Sequence, residues 1–366
     1  MVCPDMNRIT ECRTLRRPPE FARTISLLVS ALLAPGAPVC GEQQPDISVR
    51  TNMAVVPAIV HDKHGQIISN LKLDDFALEE DGRLQTISYF AREKDLALAV
   101  GLLVDTSLSQ RRVLEEERKA SSSFVHDTLR VEKKDQAFLI HFDHEVELLQ
   151  DFTSSRAKLE SGLSLLEAPE RQETNEGGGH HRGGGTLLYD AVYLASNDMM
   201  KNLQGRKAVI VLSDGVDRGS KESLSSAIES AQRADTVVYS ILFKDDQQGG
   251  SRGGFSGGGW GGHGGGGRHY PRQEEQRPDG KKILERISRE TGGRLFEVTK
   301  KQTVDQIYDQ IEQELRDQYI LGYVPDKSPN GAGYRKIHLV PKQKEWAVQA
   351  RDGYYPDQPV SAAGSQ

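Results

Sequence analysis

The feature that most constrains this chain is a nearly unbroken apolar run, Leu96 to Val104 (LALAVGLLV), followed by segments whose apolar residues recur at helical spacing. A strand with one face in water alternates apolar and polar residues, so a continuous run predicts a strand buried on both faces of a sheet. Val113, Leu114, Phe124, Val125 and Leu129 then predict a helix over residues 110–130. Ala137 to Phe142 reads as a second strand, with Val146 to Phe152 able to pair with it antiparallel across Asp143–Glu145. Ala208 to Leu212, Val237 to Phe243 and the short Leu295 to Val298 complete the strands. Helical periodicity fills the gaps at 187–195, 220–234, 283–290 and 304–315. This alternation predicts an α/β fold with a doubly wound, mostly parallel, Rossmann-like sheet, whose ligands sit in the loops beyond the carboxyl ends of the strands.

The flanks have a different texture. Val55 to Val60 is β-branched and apolar, and Pro57 within it predicts an edge strand because proline cannot donate to a ladder. Phe76-Ala77-Leu78 leads into Glu80-Asp81-Gly82, a hairpin turn signal, with Ile87, Tyr89 and Phe90 expected to continue the second arm. After the last helix come three more strand-like segments, 319–324, 336–340 and 346–350, with Trp346 read as core. In the second, Ile337 and Leu339 alternate with Lys336 and His338. Each flank alone is too small to bury much core. The expected organisation is therefore an N-terminal β segment (42–96), the α/β domain (97–317) and a C-terminal β segment (318–357) that packs with the first as a β-sandwich. A disordered tail (358–366) closes the chain.

The first forty residues hold all three cysteines, Cys3, Cys12 and Cys40. Arg13, Arg16, Arg17 and Arg23 precede an apolar run from Ile25 to Ala34, then Pro35, Gly36 and small residues. Those are the parts of a secretory signal peptide (1–41), so the protein is expected to be exported to the periplasm or beyond. The run is shorter than the ~20 residues a membrane span requires, so no stable span is expected in the mature chain. Pro38 and Val39 ahead of Cys40 argue against a lipoprotein. Cleavage near Gly41 would leave a mature chain without cysteine, held together by its core and not by disulfides. The net charge of −6 gives no sign of nucleic-acid binding. More than half of the 36 glycines fall in two stretches, 177–185 and 249–267, read as loop insertions.

The chemistry concentrates at one place. Asp105-Thr106-Ser107-Leu108-Ser109 follows directly on the first buried strand, delivering a carboxylate and two hydroxyls to the sheet's carboxyl end. Thr186 opens a helix after Gly183-Gly184-Gly185, and Asp214 follows the third strand in Ser213-Asp214-Gly215. Ser109 or Thr186 alone is as readily a helix N-cap. Together the three loops form a set of hard oxygen donors suited to Mg²⁺, or to Mn²⁺ or Ca²⁺, and not to zinc. An ion held by neutral hydroxyls and only two carboxylates stays electron-poor and would seek another carboxylate from a partner. Gly185, Gly215 and Asp217 are expected at the rim, with Asp190 anchoring the Thr186 loop.

At these residues the chain resembles the von Willebrand factor type A (VWA) family. Asp105, Ser107, Ser109, Thr186 and Asp214 match the five positions of its metal-ion-dependent adhesion site (MIDAS). The resemblance implies that Ser107, Ser109 and Thr186 coordinate the metal directly, that Asp105 and Asp214 act mainly through waters, and that a ligand acid completes the octahedron. A narrower resemblance runs through NLKLDDFALEEDGRLQTISYF, DQYILGYVPD, YRKIHLV and ARDGYYP. These segments are similar to the VWA-related proteins abundant in acidobacterial genomes, which are typically exported. The two glycine-rich loops depart from that pattern.

The expected function is that of an adhesion or scaffold module that grips an acidic side chain on a protein partner through the metal. The alternative is a metal-stabilised structural subunit of a cell-envelope assembly whose ion meets no ligand. His180-His181 and the aromatics Phe255 and Trp260 read as parts of solvated loops. G-x-S-x-G occurs only inside the glycine-rich stretch, at 249–253 and 254–258, and not as a strand-to-helix elbow; H-E-x-x-H and G-x-x-x-x-G-K-[ST] are absent, and no enzymatic activity is expected.

Overall fold

A computed structural model describes residues 53–92, 97–129, 134–167, 185–203, 205–243, 279–326 and 333–356. The leader with its cysteines, His180-His181, nearly all of both glycine-rich stretches and the tail lie outside the described residues.

The long apolar run forms β5 (Leu98–Asp105), buried along its whole length. It sits inside a six-stranded sheet with β6 (Gln136–Phe142), β7 (Val146–Thr153), β8 (Arg206–Ser213), β9 (Val237–Leu242) and β10 (Leu295–Glu297), in the order β10-β9-β8-β5-β6-β7. All pairings are parallel except β6 with β7, which folds back antiparallel across the Asp143–Glu145 turn. Helices α1 (Leu114–Thr128), α2 (Arg156–Leu163) and α6 (Val304–Arg316) contribute to a core on one face. Helices α3 (Leu188–Leu194), α4 (Leu224–Arg233) and α5 (Gly280–Thr291) contribute to the core on the other. The doubly wound α/β expectation holds. Helix α2 carried too few apolar residues for the periodicity to reveal it.

The flanking segments build two four-stranded antiparallel sheets. One has the order β13-β1-β11-β4, the other β14-β12-β2-β3. Their strands are β1 (Ala54–His61), β2 (Phe76–Glu80), β3 (Arg83–Gln85), β4 (Ile87–Ala91), β11 (Tyr319–Tyr323), β12 (Arg335–Pro341), β13 (Ala347–Ala350) and β14 (Gly353–Tyr354). The sheets share a core in which Phe76 of one packs against Phe90 and Tyr319 of the other. Buried Glu80 accepts hydrogen bonds from Tyr323 and Tyr354 hydroxyls and from Arg335, so its charge is fully engaged.

Two sequence expectations are corrected here. Strand β1 is central and not an edge, because β11 pairs with Ala54–Ala58 and β13 with Ala58–His61. Pro57 is tolerated because the β13 ladder begins only at Ala58; beside it Arg351 caps the Val55 carbonyl at 2.5 Å. The hairpin forms with Asp81 (φ 48°) and Gly82 (φ 77°) in the left-handed region, as a two-residue primed turn requires. Its second arm, however, is the short β3. The chain then crosses to the other sheet, where β4 pairs with β11.

The α/β unit leaves and re-enters the sandwich through these adjacent strands, with Ala91 opposite Ile320. At the neck Arg92 pairs with Asp317 and donates to the Ser69 carbonyl at 2.6 Å.

Candidate metal centre

Asp105 ends β5 and is completely buried. Its Oδ1 accepts from the Ser107 amide at 3.0 Å and its Oδ2 from the Ser213 hydroxyl at 2.6 Å. Folding the loop back on the carboxylate in this way brings the Ser107 and Ser109 hydroxyls within 3.0 Å of each other. The Thr106 amide donates to the Phe142 carbonyl at 3.0 Å, tying the loop to the end of β6.

Thr186 is drawn to the same edge from two sides. Its backbone exchanges hydrogen bonds with Arg218 (3.3 and 2.8 Å), and the following Leu187 amide donates to the Asp143 carbonyl at 2.9 Å. Gly185 is wedged here, since a Cβ would lie 3.2 Å from His144 Cα and 3.3 Å from the Arg218 carbonyl oxygen. Asp214 follows β8, with Oδ1 accepting from the Val216 amide at 2.9 Å. Neither Ser109 nor Thr186 is a helix cap, because α1 has Val113 and α3 has Leu187 at that position. Their hydroxyls are therefore not explained by capping.

The site also depends on Ser213, given no role of its own in the sequence analysis, and on Gly280, which was not named there. Ser213 bridges the two aspartate loops, its hydroxyl accepting from the Gly215 amide at 3.0 Å while donating to Asp105. Gly215 (φ 78°) and Gly280 lie back to back. A Cβ on Gly215 would meet the Gly280 carbonyl oxygen at 2.2 Å, and one on Gly280 would meet the Asp214 carbonyl oxygen at 2.1 Å. The start of α5 thus seats the Asp214 loop. Asp217 is less a free rim charge than a strut: it accepts from the Tyr189 amide at 3.2 Å and the Ser220 hydroxyl at 2.6 Å. Asp190 accepts from the Lys221 and Glu222 amides at 3.1 and 2.8 Å, holding α3 to the loop before α4.

Burial pushes the Asp105 carboxyl up to about 6, with the Asp214 charge adding to the rise and the Ser107 and Ser213 hydrogen bonds opposing it. The folded protein then keeps a proton that the unfolded chain releases near 3.8. Asp105 should therefore take about 3 kcal/mol from the stability in chelator as pH rises from ~4 through ~6. Urea midpoints across that range test this. Asp105→Asn should show a shallower slope there, with Glu117 and Glu314 keeping their shares, and an equal slope in the variant would refute the assignment.

A buried carboxylate next to a second carboxylate and two converging hydroxyls is a donor set that a hard divalent ion fits. Among the described residues no three His, Cys, Asp or Glu side chains form a metal cluster. The Asp105 set is instead rich in hydroxyls.

Residues 100–216 match the model of the von Willebrand factor type A domain. The α/β unit has the VWA fold. VWA domains generally mediate protein–protein interactions, often through a divalent metal at the MIDAS, and are typically not enzymes. No curated protein matches the chain. Among solved structures, BatB from Bacteroides thetaiotaomicron is 18% identical with a TM-score of 0.40, covering 60% of this chain and 97% of that one. The vWF domain of the type V pili tip protein Mfa5 from Porphyromonas gingivalis is 12% identical with a TM-score of 0.41, covering 60% and 95%. Proximal thread matrix protein 1 from the mussel byssus, with a zinc-occupied MIDAS motif, is 13% identical with a TM-score of 0.41, covering 66% and 50%. No helix among the described residues is long and apolar enough to cross a membrane.

Proposed function

We propose that this protein is an exported binding module that holds a divalent cation, Mg²⁺ foremost, at Asp105, Ser107, Ser109, Thr186 and Asp214, and presents it to an acidic side chain of a protein partner. The observation that carries this reading is the pair of hydroxyls on Ser107 and Ser109, 3.0 Å apart beside the buried Asp105 carboxylate. The bound ion would supply a Lewis-acidic position for the partner's carboxylate. Ser107, Ser109 and Thr186 would hold it with neutral oxygens, leaving it short of negative charge. Asp105 would contribute a charge fixed by Ser107 and Ser213, and Asp214 one fixed by Val216. Export rests on the basic and apolar composition of residues 1–41.

Thermal unfolding in chelator, Mg²⁺, Mn²⁺ and Ca²⁺, beside Asp105→Ala, tests the metal. An ion at 100 times its Kd adds about 2.7 kcal/mol. A metal-dependent rise in midpoint that the variant lacks is the expected result. No rise at millimolar ion would overturn the reading.

A further inference from the structure

Helix α1 carries a carboxylate that the reading above leaves unused. Glu117 is completely buried, and neither of its carboxylate oxygens has a hydrogen-bond partner among the described residues. A carboxylate stripped of water and left unpaired is among the costliest groups a protein can bury in charged form. The position is tied to the candidate metal loop by a short run of backbone hydrogen bonds. Gln110 N donates to the Ser107 carbonyl, Leu114 N to Gln110, and Glu117 N to Val113, at 2.9, 3.1 and 2.9 Å. Gln110, seven residues before Glu117, is also buried, and its side-chain oxygen is likewise unpartnered. Two orphaned polar side chains thus lie along α1 and the turn that leads into it, directly beyond the hydroxyl-bearing loop. Ordinary core packing would place apolar side chains there.

The groups that act electrostatically on Glu117 are Asp105 at the end of β5 and Glu116 beside it, both negative. From α6 the facing titratable group is Tyr308, whose hydroxyl is hydrogen-bonded to Ser121 at 2.9 Å. Burial first, and these two carboxylates after it, hold the Glu117 acid well above the ordinary range.

We propose that Glu117 is a proton-linked partner of the metal loop, neutral while no cation is bound and giving up its proton when a divalent ion settles at Asp105. This inference rests on the metal reading given above. Its physical basis is the sign of the local field. With no ion, Glu117 faces net negative charge. A divalent ion beside Asp105 cancels that charge and favours the carboxylate. Linkage then runs both ways: a proton on Glu117 weakens the ion's hold by the factor by which the ion weakens the proton's. The mass balance is simple, with one proton passing from the Glu117 carboxyl to solvent as the ion enters.

The test is calorimetric titration of the full chain with Mg²⁺ and Mn²⁺ in buffers of different ionisation enthalpy, from pH 5 to pH 9, with E117Q and E117M beside the wild type. Because the cation-free fold must keep a proton on Glu117 that the unfolded chain releases above 4.5, both variants should fold and be at least as stable as the wild type in chelator, with the gap widening as pH rises. The wild type should release more protons per ion than either variant. Over the interval in which Glu117 titrates, its affinity should rise with pH by up to about tenfold per unit more than theirs. Equal proton release in all three proteins, with cation still bound, would overturn the role of Glu117 and leave the metal site standing. No cation binding by the wild type at any pH would overturn the metal site and this inference with it.

Discussion

Replacing Glu314 with alanine should cost about 2–3 kcal/mol of stability, less than a wholly buried ion pair because the Arg294 side chain is 36% exposed. Glu314 lies on α6, completely buried, and contacts Arg294 just ahead of β10. It also reaches the sandwich, accepting from Gln349 of β13 at 3.2 Å and lying 3.7 Å from Nε2 of His61 on β1. Burial raises its acid and the Arg294 charge opposes the rise. The alanine variant removes the acceptor that Arg294 and Gln349 share at the junction between the two architectures, and urea unfolding with unchanged m measures the loss. Because native stability is only about 5–15 kcal/mol, the variant should be visibly marginal at 37 °C. A midpoint shift worth less than about 1 kcal/mol would mean that the pair is screened or replaced by water.

Deleting residues 319–366 should unfold the segment 53–92 outright. The deletion removes β11 and β13, the neighbours of β1, and β12, the partner of β2. It also removes Tyr319, Leu321, Tyr323, Ile337 and Leu339 from the shared core. What remains is β1, the β2–β3 hairpin and β4 without partners, and isolated hairpins are marginal in water. Limited proteolysis should cut within 53–92 at many points. Protection of that segment in the truncated chain would show that it folds alone.

How far the sequence foretells this structure depends on whether the determining contacts are local. The buried run of β5 and the periodic helices were legible because burial on two faces writes itself into every residue of a segment. The loop Asp105–Ser109 was legible because a strand must end where its apolar run ends. Ser213 and Gly280 were not. Ser213 matters through a hydroxyl aimed at a residue 108 positions away, and Gly280 through a close approach to Asp214 that no local pattern records. Pro57 misled because the rule about proline concerns one hydrogen-bonding edge, whereas β1 is paired on different sides along different parts of its length. Glu117 did leave a trace. It shares the buried stripe of α1 with Leu114, Ser121, Phe124, Val125 and Thr128, at the spacing of one helical face. Inside Glu115-Glu116-Glu117 it reads as one more solvated charge unless the spacing is followed.

The neck through which the α/β unit joins the sandwich has a mechanical meaning. Strands β4 and β11 run antiparallel and leave the sandwich at the same end, so tension on a partner held at the far edge would pull both in one direction. Little strain then develops between the two. The load passes instead into β1, along the register from Ala54–Tyr323 to Ala58–Tyr319, as sliding of one strand past another. Sliding has to break those ladder bonds together and not one after another, so a pull in this direction meets more resistance than one that peels the strands apart.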